Sequence, residues 1–169
     1  MFTRKVLRLN NFDYSGDGFY FVTICSAHKA ELFGKVVNEI VVLNNLGRIV
    51  EDSWLKVGSL HENIRLDEYV IMPNHVHGII IIENNVADAN FASTTNRTEM
   101  LLSKVIQQFK RAVTIQINKE RSGKSAVWQR SYFDRVIRNE KELYQIRNYI
   151  RQNPLKWHLE KNEVVNLVL

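Results

Sequence analysis

The chain has 169 residues, 45% of them hydrophobic, with a formal net charge of +5, which fits one domain with one sizeable core. No apolar run is long enough to cross a bilayer, since Ile79–Ile82 stops at Glu83, and no signal-peptide core follows Met1–Lys5. A single cysteine, Cys25, excludes an intrachain disulfide and a cysteine-based zinc site. The expectation is one cytoplasmic domain spanning residues 1–169, with no membrane partner.

Gly16 and Gly18 mark a turn. Phe19–Cys25, rich in aromatic and β-branched residues, reads as a strand, with Cys25 packed there as a small apolar side chain. Ser26 to Gly34 reads as a loop, and Val36-Val37 as a short extended piece. From Asn44 to Val57 the residues Leu46, Ile49, Val50, Trp54 and Val57 recur at helical spacing, and Gly58 reads as the stop. Ile64–Met72 is a second strand, Pro73-Asn74 a turn, and His75–Ile82 a third strand, antiparallel to the second if the connection is a hairpin. The polar, aperiodic stretch Asn84–Arg97 reads as a mobile loop.

Thr98–Asn118 then carries Met100, Leu101, Val105, Phe109, Ala112, Val113 and Ile117 at helical spacing, with Thr98 as the expected cap. Lys104, Lys110, Arg111 and Lys119 occupy its other face. Arg121–Ser125 is a loop whose glycine spacing and preceding element are wrong for a phosphate loop. Val127–Ile137 predicts a fourth strand. Asn139–Asn153 predicts a last helix that starts at an Asn cap and ends before Pro154. The order β-α-β-β-α-β plus a helix is the split βαβ pattern. It predicts an α+β fold, ferredoxin-like or RRM-like: a four-stranded antiparallel sheet with two helices on one face and a C-terminal helix added.

Two constellations carry chemistry. Residues two apart on a strand share a face, so His75 and His77 project side by side while Val76 points into a core. Two such imidazoles can form two corners of a metal site, although a bare His-x-His is more often one packed and one solvated ring. Tyr149 and Asn153 are four apart on the last helix and share a face, whereas Tyr144 points away from Tyr149. A tyrosine hydroxyl can be a covalent nucleophile toward a phosphodiester, and a metal can polarise that phosphate as a Lewis acid. Asn153 would add an oxygen ligand from the same helix face. The competing roles are packing on the sheet for Tyr149 and a helix C-terminal position before proline for Asn153. No carboxylate is needed for general-base work near these positions, and none is identified.

Charge is distributed unevenly. Residues 1–96 carry 8 basic and 11 acidic residues, whereas residues 97–156 carry 14 basic and 5 acidic, a net of +9. A positive second half is the footprint of a polyanion partner, against the alternative of a solvated basic surface.

Pro73-Asn74-His75-Val76-His77 resembles the HUH motif (His, hydrophobic, His) of single-strand DNA transposases. Trp128–Asn139 and Tyr149-Ile150-Arg151-Gln152-Asn153-Pro154 resemble the rest of that signature as it stands in the REP-associated tyrosine transposases, relatives of the single-tyrosine transposases of small insertion sequences. The resemblance runs from about Gly18 to Lys156. It implies His75, His77 and Asn153 as metal ligands, magnesium or manganese as the ion, and Tyr149 as nucleophile. Imidazole alone would have argued for a softer ion.

The implied activity is a metal-dependent endonuclease and strand transferase on single-stranded DNA bearing a hairpin, through a 5′-phosphotyrosine link, in a monomer or homodimer. Lys104, Lys110, Arg111, Arg130, Arg135, Arg138 and Arg151 would hold phosphates. Trp128, Tyr132 and Phe133 could stack bases, with core packing as the competing role. Two other readings stay open. One is a non-catalytic single-strand-binding module that uses Phe19, Tyr20 and Phe21 as a sheet platform. The other is a water-using metal phosphodiesterase in which Tyr149 is structural.

Overall fold

The computed structural model describes residues 18–83 and 94–166. In chain order these form β1 (Gly18–Cys25), β2 (Gly34–Val37), β3 (Ile40–Leu43), α1 (Asn45–Leu60), β4 (Ile64–Met72), β5 (His75–Ile82), α2 (Thr94–Glu120), β6 (Phe133–Ile137) and α3 (Glu140–Asn166). The main sheet is antiparallel throughout, in the order β4-β5-β1-β6, and β2-β3 is a separate hairpin. This is the expected α+β architecture, with the order that a split βαβ pattern gives. Among the described residues, no helix is long and apolar enough to cross a membrane.

Both faces of the sheet are covered, by different helices. On one face, Val50, Trp54 and Val57 of α1 and Val105, Phe109 and Val113 of α2 pack against Val22, Ile24, Val76 and Ile80. On the other, Ile150 of α3 packs against Phe21, Ile79 and Ile137, with Leu143 and Ile146 beside it. That explains why Ile79–Ile82 does not alternate with polar residues: β5 is central and buried on both sides, as a strand between two layers must be.

Helix α1 starts at Asn44, whose Oδ1 accepts from the Gly47 amide at 2.9 Å. Helix α3 starts similarly, with Asn139 Oδ1 accepting from Glu142 N at 2.9 Å.

Several boundaries differ from expectation. Residues 84–93 of the expected loop, and Gly16, lie outside the described residues. The last part of that loop is already helical, because α2 begins at Thr94 and places Thr98 inside it. A polar first turn is invisible to an apolar pattern. Gly18 pairs with Ile82 as the first residue of β1. The short piece at Val36-Val37 is half of a hairpin. Its turn residues Asn38 and Glu39 both have positive φ (49° and 64°), the left-handed pair that suits the twist of a two-residue hairpin. Gly58 lies within α1, and β6 is shorter than expected, with Trp128 making one isolated bridge to Ser26.

The largest difference is at Pro154, which lies inside α3. An interior proline removes one backbone hydrogen bond and costs about 3 kcal/mol. The turns beyond it are held by tertiary contacts: the Trp157 ring lies 6.0 Å from His75, and Lys161 forms an ion pair with Glu31.

Gly78, directly after the histidine pair, faces α1. A Cβ built there would lie 2.2 Å from Cζ2 of the buried Trp54. Gly78→Ala is therefore expected to destabilise the fold by about 1–3 kcal/mol through overpacking. The check is a lower denaturant midpoint with an unchanged slope.

Candidate active site

His75 and His77 sit on the face of β5 that α3 covers. In register, Thr23 lies opposite His77 and Cys25 opposite His75, so all four side chains share one face. The imidazole centroids are 4.4 Å apart. Beside them opens a cleft of about 310 Å³, which Lys29, Tyr149, Asn153, Lys156, Trp157 and Glu160 also line.

Each ring is held by its Nδ1. Asn74 donates from Nδ2 to the Lys29 carbonyl at 3.2 Å, which turns its Oδ1 to His75 Nδ1 at 2.6 Å. His75 Nδ1 therefore donates, and its Nε2 keeps the lone pair. His77 Nδ1 is 2.9 Å from Thr23 Oγ1, while its Nε2 is 3.4 Å from the Tyr149 hydroxyl. Both hydroxyls can donate or accept, so these contacts hold the His77 ring in place without choosing its tautomer. Phe21 completes the packing, stacked on His77 at 5.3 Å and edge-on to Tyr149 at 6.0 Å.

Burial lowers the His75 pKa to about 4, opposed by a hydrogen bond that the protonated ring would donate to Asn153 and helped by a smaller push from Lys29. Burial and then the neighbouring His75 lower His77 to about 3. Both rings are thus neutral at pH 7, the form in which imidazole binds a metal. Asn153 is 7% exposed and reaches the His75 ring from α3.

Two neutral nitrogens and one amide oxygen make an open coordination set. No group of three or more His, Cys, Asp or Glu residues that could hold a metal occurs among the described residues. The set would fit a divalent ion that takes its other ligands from outside the chain, and His75, His77 and Asn153 would hold it. An exposed cleft beside the histidines leaves room for a substrate.

Tyr149 is 40% exposed, so its ring stands at the margin of the helix–sheet interface while its hydroxyl reaches inward. Tyr144, on the same helix, is 65% exposed.

Comparison with known proteins adds descent to this geometry. No family model matches the chain. It is 37% identical over 166 residues to a Haemophilus influenzae protein described as "Uncharacterized protein", covering 94% of this chain and 92% of that one, so the two are members of one family. A second Haemophilus influenzae protein, "Putative REP-associated tyrosine transposase", is 25% identical over 146 residues, covering 85% of this chain and 74% of the relative. The fold matches a solved REP-associated tyrosine transposase bound to a REP hairpin, with a TM-score of 0.57 and 19% identity over 89% of this chain and 74% of that one. The chain is thus similar to REP-associated tyrosine transposases in fold and, at 25% identity, in sequence.

In this chain the three residues expected as ligands and the expected nucleophile come together around one cleft. The basic residues do not. Lys104 and Arg111 are exposed on α2, on the far side of the sheet from the histidines. Lys110 is half-buried and donates to the Gln129 and Arg130 carbonyls at 2.7 and 3.1 Å, and burial lowers its pKa. Its ammonium thus ties α2 to the segment before β6. Arg135 pairs with Glu142. Arg151 donates to Glu68 Oε2 at 2.9 and 2.7 Å, which raises its pKa. Arg130 and Arg138 are exposed around β6.

Sequence reasoning missed Thr23, Lys29, Lys156, Trp157 and Glu160 as cleft residues. The last three continue the helical spacing of Tyr149 and Asn153. They were hidden by ending the helix at Pro154. Glu160 puts one carboxylate in the cleft, 3.9 Å from Lys156.

The lowered histidine pKa values predict acid lability of the metal-free protein. Unfolded imidazoles take up protons below their ordinary pKa of 6.5, while the folded ones stay neutral until about 4 and about 3. This contribution is fully present above pH 6.5 and is lost as pH falls toward 3–4. Denaturant midpoints measured from pH 8 to 4 in a chelator are expected to decline in that window, with a shallower decline in His77→Gln.

Proposed function

We propose that this chain is a metal-dependent, single-tyrosine DNA endonuclease and strand transferase. Its substrate is single-stranded DNA that carries a hairpin, a reading supported by the structurally similar transposase, which is bound to a REP hairpin. The observation that carries this reading is the meeting of Tyr149 Oη with His77 Nε2 at 3.4 Å, across 72 residues of chain. Tyr149 turns its hydroxyl to a histidine pair held neutral by burial.

His75, His77 and Asn153 would hold the divalent ion, magnesium or manganese. When bound, that ion polarises the scissile phosphate and offsets its charge. The remaining work falls to the chain. Tyr149 Oη attacks phosphorus, a P–Oη bond forms, and the P–O3′ bond breaks. The phenolic proton is made good on the departing 3′ oxygen. The products are a 5′-phosphotyrosine link and a free 3′-OH. Rejoining is the reverse, with a different 3′-OH as attacker, so neither water nor ATP is consumed. Phe21 and the α3–sheet packing hold the Tyr149 ring, which restricts the nucleophile to the neighbourhood of the histidines. Asn74 fixes the His75 tautomer, and Thr23 holds the His77 ring in place.

The alternative of an RNA-binding sheet platform is opposed by burial. Tyr20 faces the α1–α2 core at 2% exposure, and Phe21 lies under α3.

The test is labelled hairpin DNA with manganese, run on a denaturing gel with and without protease. Wild type is expected to give a protease-sensitive, slowly migrating adduct. Tyr149→Phe, which removes one oxygen and keeps the ring, is expected to lose the adduct completely with little change in melting temperature. Tyr144→Phe keeps it. His75→Ala and His77→Ala are expected to lose cleavage but keep most hairpin affinity, because phosphate contacts elsewhere supply that affinity. An adduct from Tyr149→Phe would place the nucleophile elsewhere. Wild-type cleavage with no adduct at all would make the enzyme a water-using phosphodiesterase.

A further inference from the structure

The stretch before α3 contains three aromatic residues, and their environments differ. Trp128 is buried between Phe33 and Phe109, with ring centroids 5.1 and 5.6 Å away. Tyr132 is half-buried and its hydroxyl lies 3.1 Å from Ser103 Oγ. Phe133 is 42% exposed. It opens the edge strand β6, and in register it lies opposite Thr23, which in turn lies opposite His77. Phe133 and His77 are thus in one row on one face of the sheet, two strand spacings apart, roughly 9–10 Å.

An aromatic chain links them. The Phe133 ring stands edge-on to Phe21 at 6.4 Å, and Phe21 contacts both His77 and Tyr149. One side of the ring is therefore anchored, and the ring as a whole stays 42% exposed, one ring contact away from Tyr149 through Phe21.

We propose that Phe133 is a stacking shelf for an unpaired nucleobase next to the scissile phosphate. This rests on the strand-transfer reading above and adds a substrate-positioning residue to it. Single-stranded nucleic acid is recognised by an aromatic face beside cations that follow the backbone. Here Arg135 lies on the same face two residues on, its side chain 53% exposed beside Glu142, and Lys156 stands 5.9 Å from the Tyr149 ring on the cleft's other wall. One ring among exposed Ser131, Arg130 and Arg135 is too small and too polar for the core of a protein–protein interface. A base needs only one ring. Holding that base restricts the adjoining phosphate, which must lie in line with Tyr149 Oη for displacement.

The experiment places 2-aminopurine, whose fluorescence is quenched by stacking, at successive positions of the single-stranded flank of a hairpin oligonucleotide. Binding to the full chain is followed in a chelator, so that no cleavage intervenes. Wild type is expected to change the emission at one flank position. Phe133→Leu, which keeps an apolar side chain against Phe21, is expected to abolish that change and weaken binding about tenfold, within the range a lost base–aromatic stack gives. Phe133→Trp should retain both. An abasic site at the same position is expected to weaken wild type by a similar factor and to cost Phe133→Leu nothing more, because the two changes remove one contact. If Phe133→Leu matches wild type at every position, or the two losses multiply, the shelf does not exist. A wild type that binds no hairpin flank would overturn the strand-transfer reading and this inference together. Binding without coupling to Phe133 overturns this inference alone.

Discussion

The docking of α3 on the open face of the sheet is the constraint from which the site follows. Ile150 is fully buried against Phe21, Ile79 and Ile137, a contact that contributes about 1.5–3 kcal/mol in removing one large aliphatic side chain from water. Its larger effect is geometric. Fixing Ile150 inward fixes the rotation of the helix, so Ile146, Asn153 and Trp157 follow on the same stripe at helical spacing. Tyr149, one residue before Ile150, falls at the margin of that stripe. From there its hydroxyl reaches His77 while its ring stays open to a substrate. A tyrosine inside the stripe would be buried, and one opposite it, as Tyr144 is, would be out of reach.

Charge pairs reinforce this docking. Arg147 donates through its guanidinium to both oxygens of Asp67, and Arg151 to Glu68, where the β4–β5 register shifts between Leu66 and Tyr69. Exposed pairs of this kind add little stability, but bidentate geometry adds direction. They pin the helix across the irregular part of the edge strand. The basic surplus of the second half is therefore not all offered to a polyanion. Arg147 and Arg151 hold α3, and Lys110 holds the segment before β6.

The histidine pair illustrates how one environment serves two needs. Burial under α3 keeps both imidazoles neutral, and their Nδ1 partners, Asn74 and Thr23, set which nitrogen faces the cleft. Thr23 belongs to a strand 54 residues away in sequence, and Asn74 to the tight turn that starts β5. The same hairpin that brings β4 and β5 together thus orients the first imidazole, and the pairing of β1 with β5 orients the second.

Much of this was legible in the chain itself. The strands β4 and β5, the helical stripe of α1, the split βαβ order and the shared face of His75 and His77 all follow from local periodicity, because a side chain's face is set by its own backbone within a few residues. The motif around Tyr149 and Asn153 was legible for the same reason. What sequence could not supply was contact between distant elements. Nothing local says that α3 continues through Pro154, since proline's cost is local and its compensation by Trp157 and Lys161 is tertiary. Nor does anything local say that Trp128 is buried while Phe133 is exposed, because both sit in one short aromatic stretch and differ only in what packs over them. Periodicity told which residues share a face. Only the folded chain decided which faces meet, because that choice depends on apolar surfaces tens of residues apart being buried against each other at once.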